Sequence, residues 1–195
     1  MPNSLNITKE RINQISDIAI SYVQKDKSLF DNFIHSYYQS LHQEMAEAIS
    51  NADLAGMALH HFTLLKSYVS GNPQLSVLNP KAEEQHFHSS HTVIQVVAYD
   101  RPFLVDTILM SLEAEGIDVH RTYNIIVDVE RDDDGNPIQV SNAEESATSH
   151  LSLIHCEVAY QDSDSLNALR QLLLSKKAGD TVRFREQVFS IEQLF

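Results

Sequence analysis

The residues best placed for chemistry lie in the heptapeptide D-R-P-F-L-V-D, from Asp100 to Asp106. Two carboxylates flank the start of a predicted helix, and the backbone N–H groups at a helix amino end attract anions. The turn therefore predicts a ligand site in which these N–H groups hold a carboxylate while Asp100 or Asp106 takes an amino group. Arg101, Pro102 and Phe103 complete the candidate set. The structural alternative is that Asp100 caps the helix and Asp106 is a solvated acid of its first turn.

A second candidate is the H-x-H-x-x-H spacing of His86, His88 and His91. Neutral imidazoles are good ligands for transition metals. The run lies in a polar connector with no accompanying cysteine, however, which is not typical of a structural zinc site. We therefore assign no metal site and keep the three histidines as weak candidates. His60 and His61 are adjacent, roughly 100° apart on a helix, so they are poorly placed to chelate together and His61 is expected at the edge of the core.

Two further patterns have a simple structural interpretation. Three consecutive aspartates, 132–134, precede Gly135 as in a calcium loop, but no bidentate acid follows at the required spacing, so they predict a hairpin turn. Cys156 has His155 beside it. Neighbours along a strand point to opposite faces, so a small buried thiol is expected rather than an activated nucleophile.

A strand–helix–strand unit over residues 91–129 must position these groups. Residues 92–98 form a short β-branched apolar run, which predicts a strand buried on both faces. Pro102 suits the first turn of a helix, whose apolar residues repeat at three- and four-residue spacing until Gly116 ends it. The following strand alternates between apolar and polar residues, and only Ile126 breaks its pattern.

Residues 1–73 carry only helix signals, in three amphipathic stretches. Ser28 with Asp31 and Ser50 with Asp53 resemble capping boxes at the second and third helix. The phenylalanine and tyrosine stripe of the second helix is either core or a docking surface for the rest of a longer chain.

We predict an edge strand and a polar connector over residues 74–90, and a separate sheet domain over residues 91–195. After a further strand from Leu151 and a helix from Ser163, residues Thr181 to Ile191 fit either a last strand or a continuing helix. This order is that of a ferredoxin-like βαββα(β) domain with an antiparallel sheet and both helices on one face. The predicted fold class is therefore α+β, a helical region followed by this domain.

Composition excludes several classes of function. The 195 residues include 14 basic and 27 acidic ones, and a net charge of −13 leaves no field that attracts nucleic acid or anionic lipid. Cys156 is the only cysteine, so no intramolecular disulfide can form. The sequence shows no signal peptide pattern and no apolar run near the ~20 residues of a membrane span. We expect a soluble cytoplasmic protein.

The residues also carry a resemblance. The stretch A-Y-D-R-P-F-L-V-D-T-I-L-M-S-L-E-A-E-G-I-D-V is similar to the strand–turn–helix of ACT domains, small regulatory modules that often bind amino acids at a paired interface. Extended back to His91, it resembles more closely the amino-terminal ACT-like region of the large bacterial NAD-specific glutamate dehydrogenases. Three further stretches fit that family in the right order: M-A-E-A-I-S-N-A-D-L-A-G-M-A-L-H-H-F, V-E-R-D-D-D-G-N-P-I-Q-V and H-L-S-L-I-H-C-E-V.

The resemblance implies a non-catalytic regulatory or assembly segment at the amino terminus of a longer enzyme, which oxidatively deaminates glutamate to 2-oxoglutarate. NAD would bind downstream, because this chain contains no G-x-G-x-x-G after a strand, and no cofactor is expected in this segment. The implied partners are the downstream catalytic region, further copies of the chain in a homo-oligomer and an amino-acid effector. The alternative is a free-standing ACT-type amino-acid-sensing domain.

The chain departs from the ACT pattern at two places. Many ACT domains have glycine after the turn proline, where a ligand approaches the backbone, but this chain has Phe103, as the large dehydrogenases do. Phe103 is expected to fill that place and to favour packing and assembly. Tyr123 and Asn124 stand where a histidine–proline pair is expected, so no binding role is carried over to them.

Overall fold

The computed structural model describes residues 6–143 and 150–175, together with the backbone of residues 181–184 and 187–190. A five-stranded antiparallel sheet lies between two layers of helices. The α+β class predicted from the sequence is confirmed. In the described part of the chain, no helix is both long and apolar enough to cross a membrane.

The first helical layer comes from the amino-terminal part of the chain. Thr8 caps its first helix by accepting the Arg11 N–H at 3.3 Å. Ser50 caps its longest helix by accepting the Asp53 N–H at 3.0 Å, which confirms the cap predicted there. The cap predicted at Ser28 is wrong, because the second helix already begins at Lys27 and its N-cap residue is Asp26. The helices are α1 (Lys9–Ser21), α2 (Lys27–Gln39), α3 (Gln43–Ala46) and α4 (Asn51–Ser67).

The sheet has the strand order β1-β2-β5-β3-β4, and every described pairing in it is antiparallel. Two helices follow β2 and β5, as in a ferredoxin-like domain, and a short helix precedes β2. The elements are β1 (Gln74–Leu78), α5 (Ala82–Gln85), β2 (Thr92–Tyr99), α6 (Leu104–Ala114), β3 (Val119–Arg131), β4 (Pro137–Asn142), β5 (His150–Val158) and α7 (Ser163–Ser175).

The predicted edge strand takes the place of the last ferredoxin strand. β1 pairs with β2 from Gln74 opposite Val97 to Leu78 opposite Val93, which occupies that side of β2. The chain after α7 does form strands rather than a continuing helix, but β6 (Thr181–Phe184) and β7 (Gln187–Ser190) pair only with each other in a separate two-stranded sheet.

One sheet face shares a core with the first helical layer. The aromatic stripe of α2 (Phe30, Phe33, Tyr37 and Tyr38) is 0% exposed and packs in one cluster with sheet residues such as Val97. The stripe is therefore core, and the docking alternative is wrong. Each large apolar side chain buried here stabilises the fold by ~1.5–3 kcal/mol.

The other sheet face is covered by α6 and α7, both on the same side as predicted. Ile108 and Leu112 of α6 and Leu169 of α7 pack against strand residues such as Ile94 and Ile154. This second helical layer leaves part of β3 open. Asn124 is exposed and Ile126 is 39% exposed, so the residue that broke the polar alternation lies on the surface.

Candidate functional site

The D-R-P-F-L-V-D turn joins the end of β2 to the start of α6. The Asp100 N–H continues the strand pairing by donating to the His150 carbonyl at 2.8 Å. The chain then leaves the sheet, and α6 begins only at Leu104. The prediction that Pro102 lies in the first helical turn is wrong, because the N-cap residue, Phe103, follows it.

Phe103 has a left-handed backbone with a φ of 65°. Glycine adopts this conformation freely, whereas a residue with a side chain loses ~1–2 kcal/mol. The Phe103 side chain is 76% exposed. The expectation that it fills the place of a ligand is therefore wrong: the backbone keeps the shape that glycine would give, and the side chain faces solvent.

Asp100 is held in place by a chain of side-chain hydrogen bonds. Ser152 Oγ donates to Asp100 Oδ1 at 2.6 Å, and Asn124 Nδ2 donates to Ser152 Oγ at 3.3 Å. Ser152 is 0% exposed and Asn124 is exposed, so this polar chain runs from the turn under α6 to the open surface of β3. The alternative that Asp100 caps α6 is wrong, because the N-cap residue of that helix is Phe103 and the Asp100 carboxylate accepts from Ser152 instead.

An imidazole–carboxylate pair lies beside this polar chain. His150 Nδ1 is 2.6 Å from Asp128 Oδ1, and the two residues are direct neighbours across β3 and β5. A carboxylate only accepts, so Nδ1 carries the hydrogen and Nε2 is an acceptor in the neutral ring. The turn thus has two carboxylates near it, those of Asp100 and Asp128.

The turn also offers donors. The N–H groups of Leu104 and Thr107 bond to the Arg101 and Phe103 carbonyls at 3.4 and 2.9 Å. The N–H groups between them, those of Val105 and Asp106, have no acceptor within the described residues and lie at the positive end of the helix dipole. Carboxylates and free N–H groups together suit a ligand with an ammonium and a carboxylate group.

The remaining candidates lie around the turn. The Arg101 guanidinium is 6.0 Å from the Tyr99 ring centroid, a cation–π distance. Asp106 is exposed in the first turn of α6. Sequence reasoning missed Ser152 and Asn124. The available signal was a serine inside an otherwise apolar strand, since a buried hydroxyl needs a partner.

The histidines of the H-x-H-x-x-H run do not come together as ligands. His86 stacks on Tyr22 with ring centroids 4.3 Å apart, and the His88 backbone N–H donates to Asp53 Oδ1 at 2.9 Å. His91 Nδ1 lies 3.7 Å from a carboxylate oxygen of Glu157. Among the described residues, no group of three or more His, Cys, Asp or Glu side chains is arranged to hold a metal ion.

His61 lies deep in the core rather than at its edge. It is 0% exposed; its Nε2 donates to the Val96 carbonyl at 3.0 Å, so its Nδ1 accepts the Tyr37 hydroxyl at 2.8 Å. Burial lowers the pKa of His61 to about 3, against a smaller opposite effect of the Val96 bond. The neutral ring thus connects α2, α4 and β2.

A second buried histidine, His155, joins the sheet to a charged cluster. Its ring stacks on Tyr123 at 4.7 Å, and its Nε2 lies 3.6 Å from Glu157 Oε1. Burial lowers the pKa of His155. Burial alone would raise the pKa of Glu157, but His155, Arg121 and His91 together lower it, so the carboxylate is ionised near neutral pH.

The predictions for Cys156 and the aspartate run are confirmed. Cys156 is fully buried, burial raises the pKa of its thiol to about 11, and its sulfur contacts Thr122 Oγ1 at 3.1 Å. Asp132 closes the β3–β4 turn: its Oδ1 accepts the Asn136 backbone N–H at 2.7 Å.

The antiparallel sheet carries α6 and α7 on one face, and the D-R-P-F-L-V-D turn connects β2 to α6. Together these features define an ACT-type domain. A family model described as "Glutamate dehydrogenase, ACT1 domain" matches residues 33–173, from within α2 to the last turn of α7. The chain belongs to this family.

Two curated relatives are similar to the chain. The NAD-specific glutamate dehydrogenase of Halomonas elongata is 33% identical over 136 residues, which are 69% of this chain and 8% of that protein. The NAD-specific glutamate dehydrogenase of Pseudomonas aeruginosa is 29% identical over 126 residues, 63% of this chain and 8% of that protein. The chain therefore spans a small part of the length of these relatives. No solved structure matches it.

Proposed function

We propose that this chain is a non-catalytic regulatory and assembly segment of a large, cytoplasmic NAD-dependent glutamate dehydrogenase. Membership of the ACT1 family and the small share of each relative that the chain covers support this placement. The whole enzyme would convert glutamate to 2-oxoglutarate by oxidative deamination. The short coverage favours this over a free-standing amino-acid-sensing domain.

The described residues do not fit an NAD site. Dinucleotides bind at the carboxyl ends of parallel strands, where a glycine-rich turn leads into a helix. Every strand pair described here is antiparallel, and the turn after β2 carries Pro102 and Phe103 instead of glycines. In this proposal NAD binds in the downstream catalytic region of the same chain.

The observation that carries the regulatory role is the polar chain from Asp100 through Ser152 to Asn124 beside the free N–H groups of α6. An amino-acid effector would place its ammonium group at Asp100. Its carboxylate would accept from the Val105 and Asp106 N–H groups. The left-handed backbone at Phe103 leaves these groups accessible, as glycine would.

The assembly role rests on surfaces left open around the same turn. From residue 119 to 125, β3 has no strand on its outer side within the described chain, because β4 pairs only from Val127 onward. An unpaired strand edge is a template for pairing with another chain. The exposed Phe103 and Ile126 lie on the α6 side of this edge. A second copy in a homo-oligomer, or the downstream catalytic region, would cover them.

Calorimetric titration of the chain with a panel of standard amino acids tests the effector site. We expect one class of amino acid to bind, and Asp100→Asn to weaken binding about tenfold or more, because a charge-assisted hydrogen bond is lost. The matched control is Asp17→Asn, an exposed acid on α1. Absence of heat with every amino acid would leave only the assembly role.

A further inference from the structure

A cleft lies between α4 and α5, on the opposite side of the sheet from the α6 turn. Its volume is about 290 Å³, near the lower end of the ~300–1,000 Å³ of small-molecule sites. It is lined by Leu59, His60, Thr63, Glu84, Gln85 and His86.

The walls of this cleft are held together without a ligand. A Cβ atom at Gly56 of α4 would lie 2.3 Å from the His86 carbonyl oxygen, so glycine is required where the turn after α5 packs against α4. Phe87 is buried at 1% exposure, and the His88 N–H bonds to Asp53 at the start of α4. The cleft is therefore preformed, which lowers the entropic cost of binding.

The hydrogen bonds behind the cleft determine which tautomer the neutral His60 ring adopts. Gln95 Nε2 donates to the Met57 carbonyl at 3.1 Å, which sets the orientation of the Gln95 amide. Gln95 Oε1 then accepts, so His60 Nδ1, 2.6 Å away, must carry a hydrogen. In the neutral ring the hydrogen is therefore on Nδ1, and Nε2 keeps a lone pair. Nε2 has no hydrogen-bond partner within the described residues, and His60 is part of the cleft lining.

Thr63 and Glu84 add further acceptor atoms to the lining. The Thr63 hydroxyl donates its hydrogen to the Leu59 carbonyl at 2.9 Å, which leaves its lone pairs. Gln85 is held by its neighbours in the chain: its Oε1 accepts the Lys81 N–H at 2.8 Å, and its Nε2 donates one hydrogen to Glu84 Oε2 at 3.4 Å. Within the described residues, the Glu84 carboxylate is paired with one cation, the exposed Lys81, 3.6 Å away. The cleft thus suits a cationic donor.

We propose that the α4–α5 cleft binds a small organic ammonium ion, held between His60 Nε2 and the Glu84 carboxylate. An amino acid fits poorly, because its carboxylate would meet Glu84 and acceptor lone pairs. The site is therefore distinct in position and in ligand class from the turn at Asp100, and either proposal can fail without the other.

The test is a nuclear magnetic resonance titration of the 195-residue chain with putrescine, following the nitrogen-15 shifts of the His60 ring at a pH where the ring is neutral. We expect a saturable shift of Nε2. Glu84→Gln and His60→Asn should each weaken binding about tenfold. Asparagine keeps the donor to Gln95 and removes the Nε2 acceptor, so the fold is retained.

Two controls make the result specific. Glu83→Gln removes a neighbouring acid of α5 that does not line the cleft and should leave the affinity unchanged. Succinate and glutamate should not shift the His60 signal. Shifts that stay linear in putrescine, or equal losses for Glu83→Gln and Glu84→Gln, would overturn the proposal.

Discussion

At the scale of single residues, Phe103 combines a strained backbone with an exposed ring. A left-handed conformation in a bulky residue is uncommon and persists where surrounding structure or function requires it. Within the described chain the ring has little packing to offset that cost, since 76% of the residue is exposed. Under the proposed assembly role, the compensating contact is made outside the described residues, in the assembled enzyme.

Replacing Phe103 by glycine should therefore not destabilise the isolated chain. Relief of the left-handed strain outweighs the added flexibility of the unfolded chain, so we expect the free energy of unfolding in urea to rise by about 0.5–1 kcal/mol. The control is Gly116→Ala, at a φ of 70° with no atom within 4 Å of the new Cβ, which should lower it by about 1 kcal/mol. A loss of more than about 1 kcal/mol for Phe103→Gly would show that the ring packs within the chain.

The buried histidines make stability depend on pH. The pKa of His61 is about 3 in the folded chain against 6.5 ordinarily, so between these values the unfolded chain binds more protons. The free energy of unfolding is then highest above pH 6.5 and falls toward pH 3 at up to ~1.4 kcal/mol per pH unit for this residue. His155, whose pKa is also lowered, adds to the slope.

Urea unfolding at a series of pH values measures this slope. His61→Gln keeps a donor for the Val96 carbonyl but cannot titrate. The slope of its free energy of unfolding against pH should therefore correspond to about one proton fewer than in the wild-type chain. His35→Gln, on a side chain that is 41% exposed, should leave the slope unchanged. Identical slopes for the wild-type chain and His61→Gln would contradict the assignment.

The sequence predicted the turn but not the network that holds it. Helix and strand signals placed Asp100 next to a helix start, because those signals are local. Its partners Ser152 and Asn124 are distant in sequence, and their positions depend on the register of β5 against β2 and β3. The prediction that Asp100 caps α6 is wrong for the same reason, because the Asp100 carboxylate accepts a hydrogen bond from Ser152.

At the scale of elements, the position of β1 shows why the sequence pattern alone did not determine the structure of the segment from Thr181 to Ile191. A strand before the domain and a strand after it compete for the same side of β2. β1 takes that side, so the strands after α7 pair with each other. Both segments have strand patterns, and only the three-dimensional pairing distinguishes them.

The contact between α4 and the turn after α5 gives a prediction at this scale. Gly56→Ala places a Cβ against the His86 carbonyl, and we expect a loss of about 2–3 kcal/mol, despite the better helix propensity of alanine. Gly71→Ala, at a φ of 79° with open space around it, should cost only about 1 kcal/mol. Equal costs in chemical denaturation would show that the contact relaxes easily.

At the scale of the whole molecule, the first helical layer and the sheet share one hydrophobic cluster. The sequence predicted amphipathic helices and a sheet domain, and left open whether the helices pack on each other or on the sheet. Which surface the helices pack on depends on shape complementarity across the interface. In the structure they pack both on each other and on the sheet. The family match, which begins within α2, includes part of this layer.

A shared core predicts a single unfolding transition. Far-ultraviolet circular dichroism follows the helices. In a chain without tryptophan, the intrinsic fluorescence comes from its seven tyrosines, of which Tyr37, Tyr38 and Tyr123 lie at the junction of helices and sheet. Both signals should give the same urea midpoint. Two separate midpoints would show that the layers fold independently.

The most direct measurement of the regulatory role is the glutamate-dependent reduction of NAD by the full-length enzyme that we propose, with and without the amino acid that binds this chain. Asp100→Asn should leave the rate without effector within about twofold and abolish the response to the effector, since about tenfold weaker binding removes it at working concentrations. Asp17→Asn should keep both. A folded, assembled Asp100→Asn enzyme that has lost its basal turnover, or an unchanged response, would contradict the account.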